Sequence, residues 1–213
     1  MKNIKLLAGI LVFGSLWGFS EVIIGSGINE VGLPAGAIMT GFFAFFFLVF
    51  SRMIYRQPGM QFGISLVAGS LRLFNPFVGC HLCSAIAIVA EGAIFEIVWY
   101  KIELDFSDLI TMKMKTSMGI ITAYLIYVSG YIITQILTPI ASGATFYIEN
   151  LIAFLPNILG SGLIAALVGA VVLPATLYTA KFDLTLKDRI YYPTTLGISM
   201  LCWLVVIGNW FMV

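Results

Sequence analysis

Long apolar runs, separated by short joints that contain proline or glycine, make up most of the chain. Seven runs are about 20 residues long, the length of a helix that crosses a bilayer, whereas a barrel strand needs about 10 alternating residues. The pattern therefore predicts an all-α fold, a polytopic transmembrane helix bundle that forms a single domain over residues 1–213. The predicted spans are about 4–24, 35–54, 60–79, 82–100, 117–138, 150–173 and 194–212.

The basic residues are concentrated in every second joint between the predicted spans. Ten of the eleven Lys and Arg residues lie at the start of the chain or around the second, fourth and sixth joints, and the other joints hold none. Because cytoplasmic loops collect Lys and Arg, this predicts a cytoplasmic N-terminus and a C-terminus outside. The ten residues are Lys2, Lys5, Arg52, Arg56, Lys101, Lys113, Lys115, Lys181, Lys187 and Arg189.

Composition supports an integral membrane protein surrounded by membrane lipid. Hydrophobic residues make up 61% of the chain, charged residues make up 10%, and the mean hydropathy is +1.05. In a soluble domain, roughly a quarter of the residues are charged. The net charge of +1 argues against nucleic acid as a partner.

Arg72 is the one basic residue that lies well inside a predicted span. Arg readily extends its charged end to the interface, so one interpretation is that Arg72 reaches the outer surface. The other is that it is a buried partner for an acid or an anionic ligand, and we favour it because a polar and small stripe runs along the same helix face. The stripe consists of Gln61, Ser65, Ala68, Arg72 and Asn75.

Glu91 lies near the middle of the fourth predicted span, on a stripe with Cys80, Ser84 and Ala87. An ionised carboxylate at that depth costs at least a few kcal/mol, so Glu91 is paired, protonated or facing water. Glu96 lies on a different face of this span. It is interpreted either as a residue that packs at the membrane interface or as a contact for a cytoplasmic partner.

The polar residues at depth gather in the outer half of the predicted bundle, which indicates an outward-facing pocket between spans one, three, four and six. In this pocket Arg72 is the predicted partner of an anion or carboxylate, and Glu91 is the predicted buried polar anchor. The residues predicted to line its mouth are Glu21, Asn75, His81 and Asn157.

Cys80, His81 and Cys83 form the most distinctive local pattern in the chain. Thiolate and imidazole suit zinc, copper or haem iron, and with an acid such as Glu21 the three residues would hold a transported metal. A closed zinc site needs a second ligand pair, which the sequence lacks. The two cysteines are alternatively a disulfide or free small apolar residues. No other cofactor is indicated.

No catalytic constellation is visible, and the sequence predicts a protein that is not an enzyme. A single histidine excludes two-histidine metal motifs, and neither a G-x-S-x-G elbow nor a Walker A motif occurs. Two further alternatives to a binding protein remain. One is a proton-coupled carrier that uses Glu91, and the other is a non-catalytic structural subunit whose polar groups only join helices.

Several features along residues 1–180 occur together: a glycine-rich outer joint, an R-x-x-x-R pair followed by Gln-Pro-Gly, a third span that ends in LRLFNP, and the acid-bearing AIAIVAEGAIFE. This organisation resembles the substrate-binding (S) components of energy-coupling-factor importers. The resemblance implies a six-helix core, so the seventh span is a departure. It also implies a vitamin-like small-molecule substrate, a membrane coupling subunit, partner cytoplasmic ATPases and a prokaryotic cell membrane.

In that family a small-residue patch on the first helix touches the coupling subunit. The nearest candidates for this partner contact are Ala8, Gly9, Gly14 and Gly18, although the usual pair of alanines four residues apart is missing. The metal-binding Met-x-His that begins the cobalt and nickel members is replaced here by Met1, Lys2 and Asn3. The resemblance therefore does not imply their metal chemistry.

Overall fold

The computed structural model describes residues 2–75, 80–101, 105–179 and 188–212, and within them the chain is helical and contains no strand. A 3₁₀ turn at Phe106–Asp108 precedes the fifth helix. The helices are α1 (Lys2–Glu30), α2 (Ala35–Tyr55), α3 (Met60–Arg72), α4 (His81–Lys101), α5 (Met112–Ala141), α6 (Ile148–Thr179) and α7 (Asp188–Met212).

Six of the described helices are long and apolar enough to cross a membrane, so the prediction of a helical, multi-pass integral membrane protein is confirmed. Lys181 and Lys187, in the joint between the sixth and seventh predicted spans, lie outside the described residues. Helix α3 has 13 residues, about 20 Å at 1.5 Å per residue, which is shorter than a hydrocarbon core of about 30 Å. The count of seven crossings and the orientation of the termini therefore stay predictions.

Helix α3 lies between α1 and α4 and runs parallel to the first and antiparallel to the second. Gly18 of α1 meets Ala68 and Leu71 of α3, and Gly14 of α1 meets Val67. A Cβ added at Gly14 would lie 2.6 Å from the Val67 Cβ, and one at Gly18 would lie 2.8 Å from the Leu71 Cβ. Small residues thus let the two helices approach closely.

This packing corrects the prediction that the small residues of α1 form a contact for a partner subunit. Gly14 and Gly18 are buried against α3, and a Cβ at Gly9 would lie 2.5 Å from the Tyr55 ring. Ala8 is half-buried. Glycine at helix spacing marks a close approach, and here the approaching helix belongs to the same chain.

Helices α5 and α6 form the other closely packed pair. Gly119 of α5 and Gly169 of α6 bring the two backbones together, and Gly162 lies against the Tyr124 ring and Val128. Gly162, Ala166 and Gly169 are buried at this contact. Helix α7 lies on the outside of α1, where the Trp203 indole nitrogen donates a hydrogen bond to Ser15 Oγ over 3.2 Å.

A cation–aromatic cluster closes the end of the bundle where α2 and α4 finish, called here the Arg52 end. Arg52 Nη2 donates a hydrogen bond to the Trp99 carbonyl oxygen at 2.9 Å, and its guanidinium carbon lies 4.0 Å from the centre of the Tyr100 ring. Phe106 packs on the same guanidinium group. The Arg52 side chain therefore satisfies one of the carbonyls in the last turn of α4, which lack a partner within the helix.

Glu96 is a helix cap at the same end of the bundle. Its carboxylate accepts hydrogen bonds from the backbone nitrogens of Gly59 and Phe62, the latter at 2.9 Å. These nitrogens belong to the start of α3, where the first four N–H groups of a helix lack intrahelical partners. Glu96 thus holds α3 against α4, a role that the sequence interpretation of interfacial packing did not specify.

Candidate binding site

Two interruptions of regular helix geometry face each other near the opposite end of the bundle. Helix α2 contains a π-helical turn at Thr40–Ala44, and α3 ends at Arg72, where the chain enters a turn. The sequence explains the second interruption, because Asn75 precedes a proline and such residues disfavour helix. Irregular backbone at membrane depth is tolerated where it is buried in protein or lines a cavity, and π-turns recur at functional sites.

A cavity of about 190 Å³ lies between these two interruptions. Five helices contribute to its wall: α1, α2, α3, α4 and α5. Its lining residues are Glu21, Gly25, Asn29, Ala35, Gly36, Met39, Thr40, Arg72, Ser84, Ala87, Ile88, Glu91 and Tyr131.

Glu91 projects from α4 into the wall of this cavity and is only 2% exposed. The Thr40 hydroxyl, at the start of the π-turn, donates a hydrogen bond of 2.6 Å to Glu91 Oε1. The second carboxylate oxygen, Oε2, is buried and has no hydrogen-bond partner among the described residues. Since buried polar atoms nearly always have a partner, the unpaired Oε2 is an exception beside the cavity.

Arg72 and Glu21 form the opposite part of the wall. The Trp17 indole nitrogen donates to Glu21 Oε1 over 3.1 Å, which orients the carboxylate, and Arg72 Nη1 donates to the backbone carbonyl oxygen of Glu21. Both charged side chains are 8% exposed, and Arg72 Nε is buried without a hydrogen-bond partner among the described residues. Two of the residues that line the cavity, Arg72 and Glu91, thus each contain a buried polar atom without a hydrogen-bond partner among the described residues.

Tyr131 of α5 separates this cavity from a second one of about 230 Å³. The two cavities share Ser84, Ala87 and Tyr131, and the second extends along α5 to Pro139 under Cys83. A Cβ added at Gly36 would clash with the Tyr131 hydroxyl, so a glycine is required where this ring meets α2.

The structure brings together three of the residues predicted from sequence, Glu21, Arg72 and Glu91, in one cavity. Asn75 is fully buried beyond the end of α3 but does not line the cavity. His81 packs its ring against Trp210, 5.6 Å between ring centres.

Asn157 does not belong to this site, which corrects its predicted place at the mouth of the pocket. It is exposed on α6, and the described wall of the cavity contains no residue of that helix. Helices α2 and α5 supply the wall instead. The physical reason is that the buried face of α6 carries its small residues, which pack against α5 and leave the polar Asn157 outside.

Cys80 and Cys83 form a disulfide at the start of α4, so their sulfurs are not thiolates available to a metal. Among the residues that the structure describes, no group of three or more His, Cys, Asp and Glu side chains is placed to hold a metal ion. The predicted metal site of Cys80, His81 and Cys83 is therefore replaced by the disulfide alternative. We refer to this end of the bundle as the disulfide end.

Sequence reasoning missed Thr40 and Tyr131, as well as the whole contribution of α2. Thr40 lies in a run of apolar residues, and a hydroxyl there is usually bonded to its own helix. Tyr127 and Tyr131 are four residues apart in the sequence, which was the available signal for a polar face on α5, and their tilted rings lie 4.4 Å apart between centres.

Comparison with protein-family models gave no match to this chain, and neither did comparison with curated proteins or with solved structures. A functional assignment therefore rests on the geometry of the cavity.

Proposed function

We propose that this protein is a membrane-embedded substrate-binding component that captures a small polar molecule in the cavity between α1 and α5. The observation that carries the proposal is the pair of unused polar atoms, Glu91 Oε2 and Arg72 Nε, on charged side chains that line one cavity. Burying an unpaired charge is expensive, so such groups persist where a ligand completes them. A subunit whose polar groups only joined helices would pair these atoms with each other.

The size and charge of the cavity restrict the ligand. A cavity of about 150 Å³ holds a molecule of the size of benzene, so about 190 Å³ accommodates a single-ring or similarly small compound. The carboxylate of Glu91 favours a basic or donor group, and Arg72 favours an acidic or acceptor group. A vitamin-like ligand larger than one ring requires the second cavity as well, which places Tyr131 between the two parts of the molecule.

The importer role extends the resemblance to S components of energy-coupling-factor transporters. The cavity lies toward the disulfide end, and disulfides persist in oxidising compartments, which supports opening to the outside. Capture at that side requires an energy source for release inside. The sequence contains no Walker A motif, so partner ATPases and a membrane coupling subunit supply it in this proposal.

Native mass spectrometry of the gently purified protein, with metal analysis of the same sample, tests the binding role. We expect a co-purifying small organic molecule in the wild type and its loss in Arg72→Ala and in Glu91→Ala. Asn157→Ala is the matched control, because this polar residue is exposed on α6, away from the cavity. All three variants should retain the thermal unfolding of a folded, inserted protein.

Three outcomes would contradict the proposal. Normal ligand content in both Arg72→Ala and Glu91→Ala would place the pocket elsewhere. Stoichiometric metal without an organic molecule would favour a metal-ion carrier. A wild type without any ligand, purified only with other membrane subunits, would favour a structural subunit.

A further inference from the structure

A separate cleft of about 440 Å³ lies on the other side of α1, where α2 and α7 both pack against that helix. It shares no lining residue with the cavity that contains Glu91. The residues that line the cleft are Lys5, Val12, Phe13, Phe50, Ile54, Tyr55, Tyr191, Thr194, Thr195 and Ile198.

The polar residues of this cleft gather at one end, which is the Arg52 end of the bundle. Tyr55 at the end of α2 and Tyr191 near the start of α7 join their hydroxyl groups in a hydrogen bond, and the Tyr191 hydroxyl donates to the Lys5 carbonyl oxygen over 3.2 Å. Lys5 Nζ lies 5.4 Å from the centre of the Tyr191 ring. Tyr and Lys at the ends of membrane spans mark the membrane–water interface.

From this rim the cleft extends into the hydrocarbon region along apolar walls. It follows α1 from Lys5 to Val12 and α7 from Tyr191 to Ile198, about 10 Å along each helix at 1.5 Å per residue. Among the six helices that are long enough to cross a membrane, α7 has the smallest fraction of buried residues, 22% over its most apolar stretch. Most of α7 is therefore exposed on the outside of the bundle beside the cleft.

We propose that this cleft binds an anionic phospholipid, with its phosphate beside Lys5 and the upper part of one acyl chain between Phe13, Phe50 and Ile198. The charge of Lys5 complements a phosphodiester, and the hydroxyl groups of Tyr191 and Thr194 line the same rim. The apolar walls begin about one helical turn below this polar rim, just as the acyl chains of a phospholipid lie below its phosphate. The rim lies at the predicted cytoplasmic end, where the bilayer surface carries anionic lipids.

The walls of the cleft favour a lipid over another helix. Helix–helix contacts in membranes use small residues that let backbones approach, as in the α1–α3 and α5–α6 pairs of this protein. The cleft is lined by large aromatic and branched side chains around a deep space, and the Tyr55–Tyr191 bridge crosses its polar end. A flexible chain fits such a space, whereas a helix of about 10 Å diameter does not.

Thermal unfolding of the detergent-purified full chain, with added phosphatidylglycerol or phosphatidylcholine, tests this proposal. We expect phosphatidylglycerol to raise the Tm more than phosphatidylcholine does, and native mass spectrometry to show its selective retention. Lys5→Gln should weaken phosphatidylglycerol binding roughly five-fold, corresponding to about 1 kcal/mol for one basic residue near anionic lipid. Lys113→Gln, which removes an exposed charge on α5, should leave it unchanged.

A second pair of variants separates chain binding from charge. Ile198→Phe fills the cleft and should abolish the retention of both lipids, whereas Leu196→Phe, on the exposed face of the same helix, should not. Equal Tm shifts with the two lipids, or equal losses in Lys5→Gln and Lys113→Gln, would overturn the proposal. So would inorganic phosphate alone reproducing the shift, since that result would identify a simple anion site.

Discussion

Arg52 and Arg72 are buried to the same extent, 7% and 8% exposed, yet their surroundings differ in kind. The Arg52 guanidinium packs against three aromatic rings and donates a hydrogen bond to the terminal carbonyl of a neighbouring helix. The Arg72 guanidinium lines a cavity together with the carboxylates of Glu21 and Glu91.

This difference shows that burial of a charge does not by itself identify a functional site. A guanidinium surrounded by protein groups joins elements of the fold, and its removal costs stability. A guanidinium that lines a cavity beside two carboxylates is, in the proposed function, part of a binding site, and its removal should cost binding. The comparison leads to variants in which stability and ligand content change separately.

The largest expected effect on stability comes from Arg52→Ala. Loss of a desolvated cation–π contact and of a hydrogen bond to a charged donor together cost about 3–5 kcal/mol. We expect this variant to unfold during purification, as measured by the monodisperse fraction in detergent and by Tm. Arg72→Ala should lose clearly less stability but retain no ligand. Equal loss of stability in both variants would remove the distinction between the two arginines.

The acids allow the same comparison with smaller effects. Glu91→Gln preserves the shape of the side chain and replaces the carboxyl group with an amide that cannot ionise, so ligand binding should fall about 10- to 100-fold, the value of a charged hydrogen bond. Stability should be unchanged or higher, because a buried charge no longer needs to be desolvated. Calorimetry of binding and thermal unfolding measure the two quantities.

Glu96→Gln is the control for that experiment. It weakens the cap on α3 and should cost about 1 kcal/mol of stability while leaving ligand affinity as it is. A Glu91→Gln variant that bound ligand normally, or a Glu96→Gln variant that lost it, would contradict the assignment of the two carboxylates.

Gly36→Ala tests the contact between α2 and Tyr131. The new methyl group would clash with the Tyr131 hydroxyl and displace the ring, at an overpacking cost of about 1–3 kcal/mol, and ligand content should change with it. Gly27→Ala, where nothing lies within 4 Å, should be neutral or stabilising. The double variant with Tyr131→Phe should recover part of the lost Tm; no recovery would indicate that the clash lies elsewhere.

Removing the disulfide with Cys80→Ser and Cys83→Ser should have a small effect on stability and the smallest effect on ligand binding. Closing so short a loop contributes at most about 2 kcal/mol, and ligand content should be retained. In the wild type, a membrane-impermeant maleimide added to intact cells after reduction should label these cysteines, with the buried Cys202 as an unlabelled control. Labelling only after the cells are opened would reverse the predicted orientation.

Sequence reasoning found Glu21, Arg72 and Glu91 because ionisable residues in apolar runs are rare and costly, which makes each of them visible without a structure. It did not find Thr40 or Tyr131, since a hydroxyl or a tyrosine in a membrane helix is common and carries no such signal. The family resemblance assigned Gly14 and Gly18 to a partner subunit, whereas the small-residue spacing alone marks a close contact without identifying the second helix. That the cavity binds a ligand stays a prediction.

The sequence by itself determined that this chain is a helical, multi-pass membrane protein. These properties depend on the length and periodicity of apolar runs, which are local. Only the tertiary structure decided that Arg52 closes a helix end while Arg72 lines a cavity, that α3 ends at Arg72, and that α2 and α5 rather than α6 complete the wall. Those outcomes depend on which helix faces meet, and that is set by the packing of residues far apart in the chain.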